Sequence, residues 1–355
     1  MDKAPKTDLS SMTLPALTAW MAELGEPAFR AGQLYGWLHQ KQAADFEQMT
    51  NLAKPLRQKL AESGFITVLA EETRQQSRSD GTVKFLLRLP DGHCVEVVWM
   101  EYNHGPSLCI STQVGCRQGC TFCASTLGGL VRNLTPGEML GEIYTVQRLM
   151  GKPISSLVLM GIGEPLDNFE NVIDFLTILS SPQGQNLSLR HVSLSTCGLV
   201  PQIDRLAELG LGLTLSISLH AADDATRSGI MPINKAYPIP QLMTSCKNYF
   251  ARTGRRISYE YALIAGVNDT PAHAQSLANL LRGQNCHVNL IPVNPVKERG
   301  TRRSDRAAVE AFRTLLEKRG INATLRRELG SDIDAACGQL RRNHTTQTNH
   351  SPTEE

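Results

Sequence analysis

Several features that would fix a location or a partner are missing from the sequence. No run approaches the roughly 20 consecutive apolar residues that a membrane-spanning helix needs. The first residues, MDKAPKTDLSSMT, contain no apolar signal core, so we expect a cytoplasmic protein with no membrane partner. The net charge is only +2 over 355 residues, which does not by itself indicate nucleic acid. Residues 1–93 contain no cysteine, so they supply no thiol to a metal site.

What the sequence does contain is nine cysteines, although we expect no export. Such cysteines indicate metal or redox chemistry more than structural disulfides. Positive charge is also concentrated locally. The segment KERGTRRSDR (297–306) has five basic and two acidic residues, and Arg326–Arg327 and Arg341–Arg342 add two pairs. These residues form either solvated surface or a rim that contacts phosphates, and the sequence leaves both interpretations open.

The chain divides by pattern into four segments. Residues 1–75 predict a small helical domain, because LPALTAWMAEL and the stretch after it have apolar residues at helical spacing. Residues 76–106 predict a β-hairpin extension around a Pro-Asp-Gly turn. Residues 107–342 alternate strand-like and helix-like runs, and the polar residues 343–355 predict a disordered tail. The alternation predicts an α/β fold, a partial (βα)6 barrel whose site lies at the carboxyl ends of its strands.

Three cysteines follow the first strand-like run of this barrel. Cys116, Cys120 and Cys123 have the spacing C-x3-C-x2-C. Soft thiolates bind zinc, copper or iron–sulfur clusters. A zinc site would need a fourth ligand, such as His93 or His104. A four-iron cluster held by three thiolates would instead leave one iron open to another molecule.

This motif resembles that of the radical SAM superfamily. The resemblance implies one [4Fe-4S] cluster, bound by the three cysteines, whose open iron binds S-adenosylmethionine (SAM). Further segments in order, including GIGEPLDN, SLHA, MPINKAYPI, YALIAGVND, HVNLIPVNP and DIDAACGQL, resemble the RlmN family of RNA (adenine-C2) methyltransferases. The resemblance covers about residues 20–342.

The resemblance implies a mechanism that uses two molecules of SAM. The first methylates Cys337, and the second yields a radical that activates this methyl group for addition to adenine C2. Glu96 is implied as the proton acceptor, and Cys109 as the thiol that releases the product by forming a disulfide with Cys337. Taken alone, Cys337 and Cys109 would be buried apolar residues, and Glu96 would lie on a solvent face. The implied SAM contacts are Gly163, Glu164, Ser195, Ser218, Leu219, His220 and Asn294.

The family also implies substrates and partners. We expect 23S rRNA and tRNA as substrates, with the target adenine flipped out of its stack. A reducing electron donor such as flavodoxin and a monomeric state are further expectations. The remaining cysteines, Cys94, Cys197, Cys246 and Cys286, match no essential position of the family and are expected to pack.

Three alternatives stay open on the sequence. A Cfr-like enzyme that methylates adenine C8 would share the mechanism. A methylthiotransferase would need further cluster cysteines in residues 1–93, which have none. A non-catalytic zinc-stabilised RNA-binding module would explain the three cysteines, but it gives no role to Cys337 or to the segments that match SAM contacts.

Overall fold

The N-terminal part of the chain is a small helical unit. The computed structural model describes residues 5–294, 299–330, 332–333 and 340. Its first helices are α1 (Leu14–Glu23), α2 (Ala28–His39) and α3 (Lys54–Ser63). Proline stands in the first turn of α1 and α3, where its missing N–H costs nothing. The apolar residues Leu17, Leu34 and Leu60 are fully buried, so helical periodicity creates the core of this unit. Two short strands, β1 (Thr7–Asp8) and β2 (Gly64–Phe65), pair in parallel across its ends.

An antiparallel extension follows, with three strands rather than a two-stranded hairpin. Strands β4 (Val83–Arg88) and β5 (Cys94–Tyr102) flank the Pro-Asp-Gly turn, as the sequence predicts. Strand β3 (Ala70–Gln76) adds to β4 on the outer side. Its sequence, AEETRQQ, has no apolar alternation, because an edge strand with exposed side chains needs none.

The rest of the described chain repeats strand and helix. Strand β6 (Gly105–Cys109) runs parallel to β9 (Ser156–Leu159), β10 (Val192–Thr196), β11 (Thr214–Ser218), β12 (Ile257–Leu263), β13 (Cys286–Pro292) and β14 (Ala323–Leu325). The helices are α4 (Pro136–Met150), α5 (Phe169–Ser180), α6 (Val200–Glu208), α7 (Asp224–Ile230), α8 (Ile239–Thr253), α9 (Pro271–Leu281) and α10 (Arg306–Lys318). A helix lies between each strand and the next, which confirms the predicted partial (βα)6 barrel.

All the large strands belong to one sheet. Its order is β14-β13-β12-β11-β10-β9-β6-β5-β4-β3, so the extension continues the barrel wall beyond β6. The junction is antiparallel, with Cys109 of β6 opposite Val98 of β5. Side chains from both ends of this order, Thr82 beside β4 and Leu325 of β14, line one cavity, so the sheet curls around it.

Hydrogen bonds link the two ends of the strand order across the open side of the barrel. The Ser77 hydroxyl and the Arg78 backbone N–H donate to the Asp332 carboxylate, at 2.6 and 2.8 Å. In return, the Gly330 N–H donates to Asp80 Oδ2 at 2.8 Å. We call residues 77–80 and 330–332 the seam. Burial raises the pKa of Asp80, but hydrogen bonds from the Gly330 and Thr82 N–H groups outweigh it and lower the pKa to about 2.

The loop that carries the three cysteines is framed by its own short strands. The run SLCISTQ predicts one strand to residue 113, but β6 ends at Cys109, and β7 (Gln113–Gly115) pairs instead with β8 (Leu130–Asn133). Gly115 has φ +83°, and a Cβ there would lie 2.0 Å from the Gly129 carbonyl oxygen. Only glycine therefore permits this close pairing at the start of the loop.

Some predictions fall outside the described residues: Cys337, the Arg341–Arg342 pair and the tail 343–355. None of the described helices combines the length and apolar character that crossing a membrane requires.

Candidate active site

A cavity of about 560 Å³ opens at the carboxyl ends of the parallel strands. This is where a βα barrel places ligands. Its wall contains Cys109, the three motif cysteines and most of the predicted SAM contacts: Gly163, Glu164, Ser195, Ser218, His220 and Asn294. Two predicted residues are not on the wall. The Leu219 side chain lies in the apolar core, and Glu96 is buried behind the wall.

The three motif cysteines share one end of the cavity. The Cys116 N–H donates to the Gly129 carbonyl at 2.9 Å, and the Cys123 N–H donates to the Cys120 carbonyl at 3.2 Å. The Thr126 hydroxyl donates to the carbonyls of Cys120 and Cys123, at 3.2 and 3.0 Å. These bonds curl the loop so that all three side chains reach the cavity.

The thiols suit a metal cluster better than a single ion. Burial raises the pKa of the Cys116 thiol to about 12, with smaller contributions from Glu164 and Cys123. Burial raises the pKa of Cys120 as well. Within the described residues, no three His, Cys, Asp or Glu side chains are spaced to hold one metal ion. A four-iron cluster has a different requirement, because each thiolate binds its own iron and the sulfurs stand farther apart. A donor set of three cysteines fits that cluster.

The segment Gly161–Glu164 packs tightly against the strand beside it. A Cβ on Gly161 would lie 2.5 Å from the Ile110 carbonyl oxygen, and one on Gly163 would lie 2.8 Å from the Gln113 backbone nitrogen. The Glu164 carboxylate accepts from the N–H groups of Cys197 (2.7 Å) and Leu166 (3.0 Å). Burial raises the pKa of Glu164. Both carboxylate oxygens are thus occupied by protein donors, so this segment offers a ligand mainly its backbone.

His220 adopts an unusual backbone conformation at the end of β11. Its φ is +57°, which is uncommon for a residue with a Cβ and often marks a functional position. Its Nδ1 accepts from the Ala262 N–H at 2.9 Å, and its ring meets Phe122 edge-on, with the centroids 4.8 Å apart. Burial lowers the pKa of His220 to about 3, with a smaller effect from Arg227. The imidazole is therefore neutral, and its Nε2 carries the proton.

Cys197 is a cavity residue that the sequence did not indicate. It lines the wall, and its backbone N–H anchors Glu164 while its carbonyl accepts from Arg227. Cys246 and Cys286 lie in the main apolar core, consistent with packing, and Cys94 is half-buried. No sequence pattern indicated that Cys197 lines the cavity, because its position depends on where the chain turns after β10.

Glu96 forms a buried ion pair that was also not predicted. Its Oε2 lies 3.0 Å from Lys84 Nζ, and both side chains are almost completely inaccessible. Val98, two residues along β5, lies opposite Lys84 on one side and Cys109 on the other. Residues that face each other in antiparallel strands share a sheet face, so Lys84, Glu96 and Cys109 lie on the cavity side. Val95, Val97 and Trp99 lie on the opposite, apolar side, as the alternation predicts.

Basic residues stand at the cavity mouth. Arg303, Arg326 and Arg327 line it, and Arg303 binds both oxygens of Glu328, at 2.6 and 2.9 Å. Arg299 donates to the Thr126 hydroxyl at 3.3 Å, next to the cysteine loop. Arg302 is exposed. Among the described residues, Arg299, Arg303, Arg326 and Arg327 thus form a basic rim at the cavity entrance.

Comparison with known proteins agrees with this geometry. The model of the radical SAM superfamily matches residues 110–277, and that of the ribosomal RNA large subunit methyltransferase N-terminal domain matches residues 7–66. A solved radical SAM methyltransferase from Sphaerobacter thermophilus is 42% identical, with a TM-score of 0.89, and the match covers 94% of this chain and 98% of that chain. Fold and site thus define a radical SAM methyltransferase.

Curated relatives narrow the class further. A probable dual-specificity RNA methyltransferase RlmN from Lachnoclostridium phytofermentans is 53% identical over 97% of this chain and 96% of its own length. A second one, from Geobacillus kaustophilus, is 50% identical over 95% of this chain and 93% of its own. The chain belongs to the RlmN family. The C8-methylating alternative is accordingly not favoured, and family membership implies a [4Fe-4S] cluster and SAM.

Proposed function

We propose that this chain methylates C2 of an adenosine in 23S rRNA and of the adenosine 3′ of the anticodon in tRNA, with Cys337 as the methyl carrier. The observation that carries the proposal is the shared face of Cys109 and Glu96 beside the cysteine loop. Cys109 lines the cavity, and Glu96 is buried behind the wall on the same face of the neighbouring strand. The names of the relatives, dual-specificity RNA methyltransferases, support the two substrates.

Cys116, Cys120 and Cys123 would hold the cluster, and the strand ends at Gly163, Ser195, Ser218, His220 and Asn294 would hold SAM. When bound, the two together supply the one-electron chemistry that activates the methyl group of Cys337. Cys109, Cys116 and Cys120 are all buried, so the protein limits the access of bulk water to that chemistry.

The protein's own groups then complete the transfer. Glu96 accepts the C2 proton after the methylene carbon has joined the base. The adduct would also lose its unpaired electron to a one-electron acceptor, a role that the oxidised cluster would fill, which leaves a closed-shell thioether. Cys109, as a thiolate, attacks the Cys337 sulfur; an S–S bond forms as the S–CH2 bond breaks, and the electron pair passes to the methylene carbon, which takes up a proton. A thiol reductant then restores both cysteines. The assignment of Cys337 rests on the family resemblance of the segment DIDAACGQL.

RNA reaches the cavity across the basic rim, which suits a phosphate backbone. We place the reaction in the cytoplasm, with a monomeric enzyme and a flavodoxin-type electron donor.

Mass spectrometry of RNA tests this function. RNA from cells that lack the protein should gain 2-methyladenosine, at one 23S rRNA position and in tRNA, when the gene is restored. A gene in which Cys116, Cys120 and Cys123 are alanine is the matched control and should restore nothing. Appearance of 8-methyladenosine, or no change in either RNA, would contradict the proposal.

A further inference from the structure

A buried arginine outside the motifs stands directly behind the candidate cluster site. Arg227 of α7 is fully inaccessible to solvent. Its Nε donates to the Leu219 carbonyl at 3.0 Å, and its Nη2 donates to the carbonyls of Cys197 (2.7 Å) and Ser218 (3.2 Å). One guanidinium therefore ties the end of β10 to the end of β11.

The same helix is bonded to the cysteine loop. The Thr121 N–H, between Cys120 and Cys123, donates to the Ile230 carbonyl at the end of α7, at 2.9 Å. Cys120, Cys197 and Ile230 belong to one small buried apolar cluster. The guanidinium and the cysteine loop are thus separated by dry protein, through which charges interact strongly.

Among the described residues, no carboxylate lies at ion-pair distance from the Arg227 guanidinium. Its Nη1 donates instead to the amide oxygen of Asn234 at 2.9 Å, and the Asn234 amide nitrogen in turn donates to Asp224. Burial lowers the pKa of Arg227, because removing the guanidinium from water disfavours its charged form. Neutral donors would serve three carbonyls equally well, so a buried permanent charge needs an anion to compensate it.

A cluster bound by three thiolates is that anion. It carries net negative charge, and one-electron reduction adds a further negative charge. We propose that Arg227 is a positioning residue with an electrostatic role: it holds the strand ends around the SAM site, and its charge stabilises the reduced cluster. The proposal rests on the proposed function only through the assignment of Cys116, Cys120 and Cys123 as cluster ligands.

The test is the midpoint potential of the reconstituted cluster before SAM is added, titrated anaerobically and followed by electron paramagnetic resonance. Arg227→Gln removes the charge and should shift the potential to a more negative value. We expect at least a tenfold lower ratio of reduced to oxidised cluster at a fixed potential, which is 59 mV for one electron. Arg227→Lys keeps the charge but loses the fork, and it should stay near the wild-type potential.

A second variant leaves the arginine in place. Asn234→Asp puts one carboxylate oxygen beside Nη1 and the other against Asp224, where the amide nitrogen donates in the wild type. It therefore adds negative charge next to the guanidinium and should also shift the potential to a more negative value. This variant decides the question if Arg227→Gln fails to fold or to bind iron. Arg57→Gln is the control, because Arg57 is buried in the N-terminal helices and pairs with Glu47 at 2.9 Å. It should leave the potential unchanged.

Iron and sulfide analysis distinguishes a failure of the cluster-ligand assignment from a failure of the proposed role of Arg227. Wild-type protein without a [4Fe-4S] cluster would contradict the ligand assignment. An intact cluster whose potential is the same in wild type and Asn234→Asp would overturn the role of Arg227, as would equal shifts in Arg227→Gln and Arg227→Lys.

Discussion

Lys84 Nζ lies 3.0 Å from Glu96 Oε2, and the pair is sealed between two strands next to Cys109. A buried ion pair of this kind links the stability of the fold to the geometry of the site. Each partner is costly to bury without the other, so the pair fixes the carboxylate in one position. That position is on the face that also presents Cys109.

We therefore expect replacement of Lys84 to destabilise the fold strongly. Lys84→Met removes the buried ammonium group that lies against the Glu96 carboxylate, and we expect a loss of about 3–5 kcal/mol in the free energy of unfolding. Lys152→Met is the matched control, because Lys152 pairs with Glu101 at 3.4 Å on the exposed surface. It should cost less than about 1 kcal/mol. Urea titration measures both, and equal costs would show that the Lys84 pair is not sealed from water.

Removing the base should slow a late step. We expect Glu96→Gln to lower the rate of RNA methylation by roughly 10²–10⁴-fold, because an amide accepts no proton. Methylation of Cys337 and cleavage of SAM should continue. Glu101→Gln, on the same strand but half-buried and paired with the exposed Lys152, is the control. Single-turnover mass spectrometry follows all three products, and wild-type RNA methylation by Glu96→Gln would exclude Glu96 as the base.

Removing the resolving thiol should trap the enzyme on RNA. Cys109→Ala should still methylate Cys337 and cleave SAM, but the thioether that joins Cys337 to the base then has no thiolate to open it. A protein–RNA species should appear on a denaturing gel and vanish in Cys109→Ala/Cys337→Ala. Cys94→Ala, which removes a half-buried thiol from the same sheet, should turn over normally. Sustained turnover by Cys109→Ala would rule out the two-cysteine mechanism.

The rim arginines should differ in their effect on RNA binding. Arg302→Ala should reduce the slope of log K against log salt by about one unit, the effect of one lost phosphate contact. Arg303 already binds Glu328 through two hydrogen bonds, so Arg303→Ala should change the slope less. Filter binding at several salt concentrations measures both slopes. An unchanged slope for Arg302→Ala would make that residue solvated surface.

Stability should fall in mild acid partly through His39. This side chain is fully buried against Tyr144, and burial lowers its pKa to about 3, whereas the unfolded chain has a pKa of about 6.5. The unfolded state therefore binds more protons, so this stability is complete above pH 6.5 and is lost as pH falls towards 3. Between about pH 7.5 and about pH 5.5, wild type should lose about 1.4 kcal/mol more than His39→Gln. Parallel losses in urea titrations would contradict this.

Most of the barrel was predictable, because its strands are apolar runs separated by helix-length segments. The same pattern predicted that the site lies at the carboxyl ends of the strands, whereas the particular cavity residues were implied by the family resemblance. Strand β3 was not predictable, since an exposed edge needs no apolar signal. Lys84 was missed because a lysine in a strand usually points to solvent, and only the fold shows that Glu96 compensates it. Arg227 was missed because it donates to backbone carbonyls, and no pattern of residue types predicts such hydrogen bonds.

The seam has a consequence for how the chain folds. Its partners, residues 77–80 and 330–332, are separated by about 250 positions in the chain, and they meet through side-chain and backbone hydrogen bonds rather than a strand ladder. Joining points so far apart carries a large loop-closure entropy unless the intervening units are already in place. We therefore expect the seam to form after the βα units have assembled. The ring around the cavity is completed only when almost the whole described chain has folded.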